Sequence, residues 1–286
     1  MSKPTRALLE RLDLERLDRD LFRGTSLQDG RPRVFGGQVA AQALTAAVRT
    51  VDERSVHSLH SYFLRPGDPK TPIIYEVDRI RDGRTFTTRR VVAIQNGEAI
   101  FNMSASFQVE QSGHEHHVPM PDAAPPSSVP SNAERIRAAA QKTDHPIMQF
   151  LAGLEHSIVV HDLDAQNPMK PHVRTEPHLV WFKSDGPLPD DPALHRCVLT
   201  YASDMTLLGA SLARHALTWF DPKLQVASLD HAIWFHSDFR ADEWLLYVTE
   251  SPSTSGARGL NQGRIFTEEG QLVASVMQEN LMRVRG

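Results

Sequence analysis

Hydrophobic positions along this chain gather into helix-like stripes and strand-like runs, and the sequence of stripes and runs occurs twice. Leu8, Leu9, Leu12, Leu17 and Leu21 lie among Arg, Asp and Glu and predict a short amphipathic helix before Arg23-Gly24. Phe35-Gly36-Gly37 then leads into residues 38–48, an Ala-rich stretch of strong helix propensity. Residues 57–64, 72–78, 85–94 and 99–109 are rich in β-branched and aromatic side chains and read as four strands. Asp82-Gly83 and Asn96-Gly97 are strong turn signals between them. A helix followed by a run of antiparallel strands predicts an α+β unit whose sheet can wrap the helix.

Residues 111–131 contain five prolines among Ser, Gly and Ala and read as a linker. Residues 132–141 look helical, and then the earlier pattern returns. A helix is expected over 194–215 and strands over 226–236, 243–250, 257–266 and 272–281. His60-Ser61-Tyr62-Phe63 resembles His231-Ala232-Ile233-Trp234 at an offset of 171, and Gly97 and Gly270 each lead into a last apolar strand at an offset of 173. This recurrence divides the chain into units 1–110 and 132–286. Each is one helix with a curved antiparallel sheet, and the two are expected to pair their sheets edge to edge over a shared cleft.

Composition narrows the function. The 286 residues are 40% hydrophobic and 23% charged, as in an ordinary globular protein, and the formal net charge of −4 argues against nucleic acid as a partner. A small anionic ligand needs only a few local cations and stays open. Cys197 is the single cysteine, so no intrachain disulfide can form, and it reads as a small buried apolar residue in a reducing compartment. No apolar run approaches the ~20 residues that span a bilayer. The N-terminal stretch from Met1 to Phe22 does not resemble a signal peptide or a mitochondrial presequence. The ending Val284-Arg285-Gly286 is no peroxisomal address. A cytoplasmic location is the expectation.

Several chemical motifs are missing: there is no Gly-x-Ser-x-Gly, no Gly-x-Gly-x-x-Gly and no phosphate-binding loop. The cluster His114-Glu115-His116-His117 sits in the Pro-rich linker without a rigid element to present ligands, so no metal is expected there. Arg79, Arg81, Arg84, Arg89 and Arg90 read as a solvated strand face. One charge is out of place. Leu194, Cys197, Val198, Tyr201, Met205, Leu208 and Leu212 form one apolar stripe, and Asp204 projects from within it. A carboxylate there must be bonded, paired or functional, and desolvation would make it a better base. It could equally sit at a helix–sheet edge bonded to Ser203 or Thr200. Ser228 and Gln278 are uninformative by pattern, because satisfied polar residues in strands are common, and His231 reads as a structural hydrogen-bonding histidine rather than a base.

Longer stretches carry a resemblance. They are Leu21-Phe22-Arg23-Gly24, Val34-Phe35-Gly36-Gly37-Gln38-Val39 and the run from His57 through Asp68 in the first half. In the second half they are Ser203-Asp204, the run from Asp230 through His236, Glu243-Trp244-Leu245-Leu246-Tyr247, Ala257-Arg258-Gly259, Val273-Ala274-Ser275 and Gln278-Glu279. Over nearly its whole length the chain resembles the bacterial acyl-CoA thioesterase II family. The resemblance implies a double hotdog, in which two long helices are each wrapped by a curved antiparallel sheet. It also implies an acid, a hydroxyl and an amide that hold a nucleophilic water: Asp204, Ser228 and Gln278. Ser228 departs from the Thr found in some members and retains the hydroxyl.

The implied reaction is hydrolysis of fatty acyl-CoA to free fatty acid and CoA without a cofactor. Asp204 would be base and orienter of the water, and Ser228 and the Gln278 amide would fix its remaining positions. Oxyanion donors are sought near Gly36-Gly37, a pair that could equally serve only a tight entry into the helix, and Arg258 is one candidate for the CoA phosphates. Aligning Gly97 with Gly270 places Ala105 opposite Gln278, so one active centre per chain is expected, in the second half. A homo-oligomer, dimer or tetramer, is expected from the pairing habit of sheet edges. Two alternatives stay open: a hotdog-type enoyl-CoA hydratase, whose acid–base pair would need a histidine presented after Asp204 by the helix and its following loop, where only His215 stands, eleven residues on, and a non-catalytic acyl-CoA-binding protein.

Overall fold

A computed structural model describes residues 2–28, 30–167, 170–219 and 221–285. Met1 and Gly286, which enter the reading of the two termini, lie outside the described residues. The first half comprises α1 (Lys3–Leu12), β1 (Glu15–Asp18), β2 (Leu21–Gly24), α2 (Gly36–Val48), β3 (Ser55–Phe63), β4 (Ile73–Asp82), β5 (Phe86–Gln95) and β6 (Glu98–Gln108). After the linker come α3 (Asn132–Ala140), α4 (Pro146–Ala152), β7 (Ile158–Asp162), β8 (His178–Ser184), α5 (Pro192–Ser203) and α6 (Gly209–Ala213). The chain closes with β9 (Leu224–Ser228), β10 (Asp230–Phe235), β11 (Leu245–Ser255), β12 (Arg258–Thr267) and β13 (Leu272–Val284).

The expected α+β double hotdog is what forms. Twelve strands join in the order β1-β2-β4-β5-β6-β3-β10-β13-β12-β11-β8-β7, with β9 added on β13. Reading outward from the β3–β10 seam, each half repeats one topology. The seam is antiparallel, with Ser61 opposite His231 and Leu59 opposite Ile233. The offset of 171 is one residue out of phase with the fold, because His60 is exposed and His231 fully buried. A slip of one residue turns every side chain to the other face, so a match of residue letters there does not equal a match of positions. Gly97 and Gly270 do correspond: both have positive φ, 80° and 90°, in the turn before the last strand of their half.

Helices α2 and α5 pack on each other inside the sheet. Ala40, Ala43, Leu44 and Ala47 of α2 and Val198, Leu199 and Ala202 of α5 are almost wholly buried, and the small alanines let the two axes approach. Asn96-Gly97 forms the β5–β6 turn with both residues at positive φ, as its sequence requires. The linker is not loose. Trp181 Nε1 donates to Ala124 O at 2.8 Å, and Met120 and Ala123 pack on the outer cluster of Trp181, Leu246, Val248 and Phe266.

Four expectations need correction. Leu17 and Leu21 are not helical, since α1 stops at Leu12 and the chain turns into the β1–β2 hairpin. Arg89 is 1% exposed rather than solvated: its guanidinium bonds Thr50 and Asp82 and closes the end of α2. Residues 226–236 are two strands, because β9 and β10 separate at Leu229. The helix expected over 194–215 is broken, with consequences described below. Cys197 is buried, and burial pushes its thiol up to about 12, in keeping with an inert apolar residue. Among the described residues no helix is long and apolar enough to cross a membrane.

Candidate active site

Asp204 occupies the place where α5 stops. Asp191 caps the start of that helix by accepting from Ala193 N–H, and the last helical residue is Ser203. Asp204 is the C-cap, with φ −82° and ψ −8°, and the chain then tightens: Met205 N–H bonds Ala202 O and Gly209 N–H bonds Thr206 O. No proline marks this break. It is held from outside the helix, on both flanks. Upstream, Tyr247 of β11 donates its hydroxyl to Ser203 O at 3.1 Å. Downstream, Asn261 Oδ1 of β12 accepts from Ser211 N–H at 2.8 Å, and Ser211 Oγ donates to Asn280 Oδ1 of β13 at 3.0 Å. Ser211, Asn261 and Asn280 are fully buried, so these bonds satisfy groups that have no water to turn to. Asn261 Nδ2 also donates to Gln278 O at 3.2 Å, which ties the strand carrying Gln278 to the same frame.

The three residues nominated by resemblance come together. Gln278 Nε2 donates to Asp204 Oδ1 at 2.5 Å and to Ser228 Oγ at 3.1 Å. Ser228 Oγ donates to the same Asp204 oxygen at 3.4 Å. They arrive from the end of α5, the end of β9 and the middle of β13, so the break in the helix and the break between β9 and β10 are both needed. A fourth group was not foreseen. Gly37 N–H, in the first turn of α2, also bonds the Asp204 carboxylate. Gly36 gives that carboxylate room, since a Cβ there would lie 2.8 Å from Asp204 Oδ2. The pair of glycines therefore admits an anion to the positive end of a helix. Gly37 N–H, one of the oxyanion donors sought near Gly36-Gly37, is bonded to Asp204 instead.

Desolvation governs the electrostatics. It raises the Asp204 carboxyl to about 6 despite the lowering effect of bonds from Gln278, Gly37 and Ser228. No cation is among the groups that shift it. One flank of Asp204 opens on a cavity of about 460 Å³, and Ser228 lines the same cavity. Its wall is largely apolar, from Phe63, Ile100, Leu208 and Trp219 among others. Gln278 does not line it and is fully buried; its Oε1 has no partner among the described residues.

Two histidines were weighed from sequence. His215 is exposed and bonds Thr254 Oγ1 at 2.7 Å, away from Asp204. His231 is fully buried, its Nε2 lies 2.9 Å from Ser203 Oγ, and burial lowers its pKa to about 4. It is a neutral packing partner behind the end of α5, as its pattern suggested. Neither lines the cavity beside Asp204. Arg258 is bound to Glu279 at 2.8 Å and does not line that cavity either.

Among the described residues the first half carries no second copy of this cluster. The residue that caps the end of α2 is Arg49, which reaches back to Leu14 O and Asp13. Ala105, at the offset that reaches Gln278, is buried against Leu59 across the sheet. An acid and an amide on one side thus face a cation and a methyl on the other.

Comparison with known proteins agrees with the double fold. The acyl-CoA thioesterase family model matches residues 147–281, and the acyl-CoA thioesterase N-terminal domain model matches residues 26–108. Acyl-CoA thioesterase 2 of Haemophilus influenzae is 39% identical over 99% of both chains. Human acyl-coenzyme A thioesterase 8 is also 39% identical, over 96% of this chain and 88% of its own. Among solved structures, acyl-CoA thioesterase II TesB2 of Mycobacterium marinum is 46% identical with a TM-score of 0.79, covering 98% of this chain and 99% of that one. A hot dog protein of Alicyclobacillus acidocaldarius, 20% identical over 98% of this chain and 99% of that one with a TM-score of 0.76, shares the fold. By full-length identity and by both family models, the chain belongs to the acyl-CoA thioesterase family.

Proposed function

We propose that this protein hydrolyses fatty acyl-CoA thioesters to free fatty acid and CoA, using a water activated at Asp204. The observation that carries the reading is a single carboxylate, raised to about 6, opening on an apolar cavity beside a hydroxyl. Sulfur donates weakly into a thioester carbonyl and leaves as a thiolate, so an activated water can attack it directly. Asp204 takes a proton from the water as its oxygen bonds the acyl carbon. The tetrahedral intermediate then collapses with loss of the C–S bond, and the proton returns to the leaving thiolate. Ser228 holds the water from the cavity wall. Gln278 has a role one step further back than the resemblance implies, because its amide N–H group is spent on Asp204 and Ser228 and orients both. Under this reading units 1–110 and 132–286 flank the linker 111–131, and the assembly is a homodimer or tetramer.

Purified protein with palmitoyl-CoA and shorter acyl-CoAs should release thiol, measured with a thiol-reactive dye. A hydratase would instead add water to crotonyl-CoA without releasing thiol, and a binding protein would shift its melting temperature without turnover. A base must be unprotonated, so kcat should fall about tenfold per pH unit below about 6 and level off above it. A profile flat from pH 5 to 8, a range chosen to straddle that value, would count against Asp204 as the titrating group. Ser228→Ala removes one hydrogen bond to a charged group and should lower kcat about 10- to 100-fold. Ser228→Thr should retain activity, since the hydroxyl survives.

A further inference from the structure

A second cavity, of about 660 Å³, lies behind the one that Asp204 faces, and Phe35 and Met205 line both. These two side chains are therefore the partition between them. Phe35 caps the start of α2 and meets the Tyr201 ring edge-on at 5.1 Å. Gly37 makes room for that contact, because a Cβ there would lie 2.6 Å from the Phe35 ring and 2.5 Å from Tyr201 O. Met205 follows Asp204 in the break after α5. A thioether on three rotatable bonds, set on irregular backbone, can swing aside with little loss of packing.

The far cavity has an apolar wall of Leu27, Phe150, Leu154, Ile158 and Tyr201, and Glu155, His156 and Ser157 also line it. Leu27 and Phe150 are 37% and 42% exposed, an uncovered apolar wall inside a concavity. Cations distinguish the two cavities. Arg11 and Arg31 of the far cavity have contacts of their own. Arg33 lines the near cavity, is exposed and makes no ion pair among the described residues. An unpaired guanidinium suits the phosphate end of the substrate, and the apolar wall beyond the partition suits its hydrocarbon end.

We propose that the far cavity receives the distal part of the acyl chain, and that Phe35 and Met205 form the gate deciding which chain lengths are hydrolysed. The proposal rests on the thioesterase reading and adds to it a specificity site. Met205→Trp would block the gate, and Leu154→Trp would fill the cavity beyond it. Each should lower the ratio of kcat/KM for palmitoyl-CoA to that for butyryl-CoA by at least tenfold, since a short chain ends before the gate. Arg33→Gln should raise KM for both substrates alike and leave the ratio unchanged. Using two variants from different elements guards against misfolding of either, with melting temperature as the check. An unaltered ratio in both Trp variants, or an equal loss on both substrates, overturns the assignment and gives the far cavity to CoA or to nothing. If the parent protein hydrolyses no acyl-CoA, the thioesterase reading itself has failed, and that is visible before any variant is made.

Discussion

Asp204→Asn will lower turnover of acyl-CoA by about two orders of magnitude or more while leaving the melting temperature at neutral pH unchanged or slightly raised. The shape and two of the hydrogen bonds survive, because an asparagine Oδ1 can still accept from Gln278 and Ser228. What disappears is the base. Stability responds in the opposite sense to most site mutations. The carboxyl sits at about 6 in the fold against an ordinary 3.8, so folding favours its protonated form. That contribution is fully present below 3.8 and lost as pH rises through about 6, which means the ionised group weakens the fold at neutral pH. Removing it relieves the strain of an anion held without a cation. The gap in melting temperature between variant and parent should accordingly shrink towards pH 4. Full activity in the variant would remove Asp204 from the reaction, and a large fall in melting temperature would make it a structural residue.

Gly263→Ala will cost about 1–3 kcal/mol of stability, or more, and will reduce kcat although it lies outside the cluster. A Cβ at Gly263 would lie 2.2 Å from Tyr247 Cε2 and 3.0 Å from its hydroxyl, in a core where neither strand can yield. The ring must move, and with it the hydroxyl that holds Ser203 O at the end of α5. Asp204 is the next residue along. Tyr247→Leu removes both the ring and its bond, so the double variant should lose less stability than the two single losses added together. Strict additivity would show that Gly263 and Tyr247 do not share one constraint. Denaturant titration of the four proteins, with kcat for each, reads both effects.

The elements from α2 to β6 were legible from their residues because local signals and tertiary structure agree there, whereas the β1–β2 hairpin was hidden by leucines that continue the spacing of α1. The Ala-rich stretch became α2, and Asn96-Gly97 imposed the only turn its backbone suits. In the second half the signals compete. β7 and β8 were not anticipated, since Ile158–Asp162 is short and His178–Ser184 does not alternate in polarity. The break at Asp204 was hidden because Met205, Leu208 and Leu212 continue the helical stripe, whereas Tyr247, Asn261 and Asn280 that enforce the break are far away in the chain. Asp204 was visible as a misplaced charge. Ser228 and Gln278 were named only through the family resemblance, because nothing local separates them from other polar strand residues. Gly37 as a donor to Asp204 had no signal at all, since that contact crosses between halves.

The seam between β3 and β10 has a further consequence. Elsewhere in the sheet the outermost strand β1 is a four-residue segment with every residue exposed and three of them charged, a rim that discourages other chains from docking. β3 and β10 have no such protection, because each is the other's neighbour. Cutting the chain in the linker would leave two fragments whose sticky edges recognise each other best of all. Mixed together they should knit back into the parent, and kept apart each should precipitate or pair with itself.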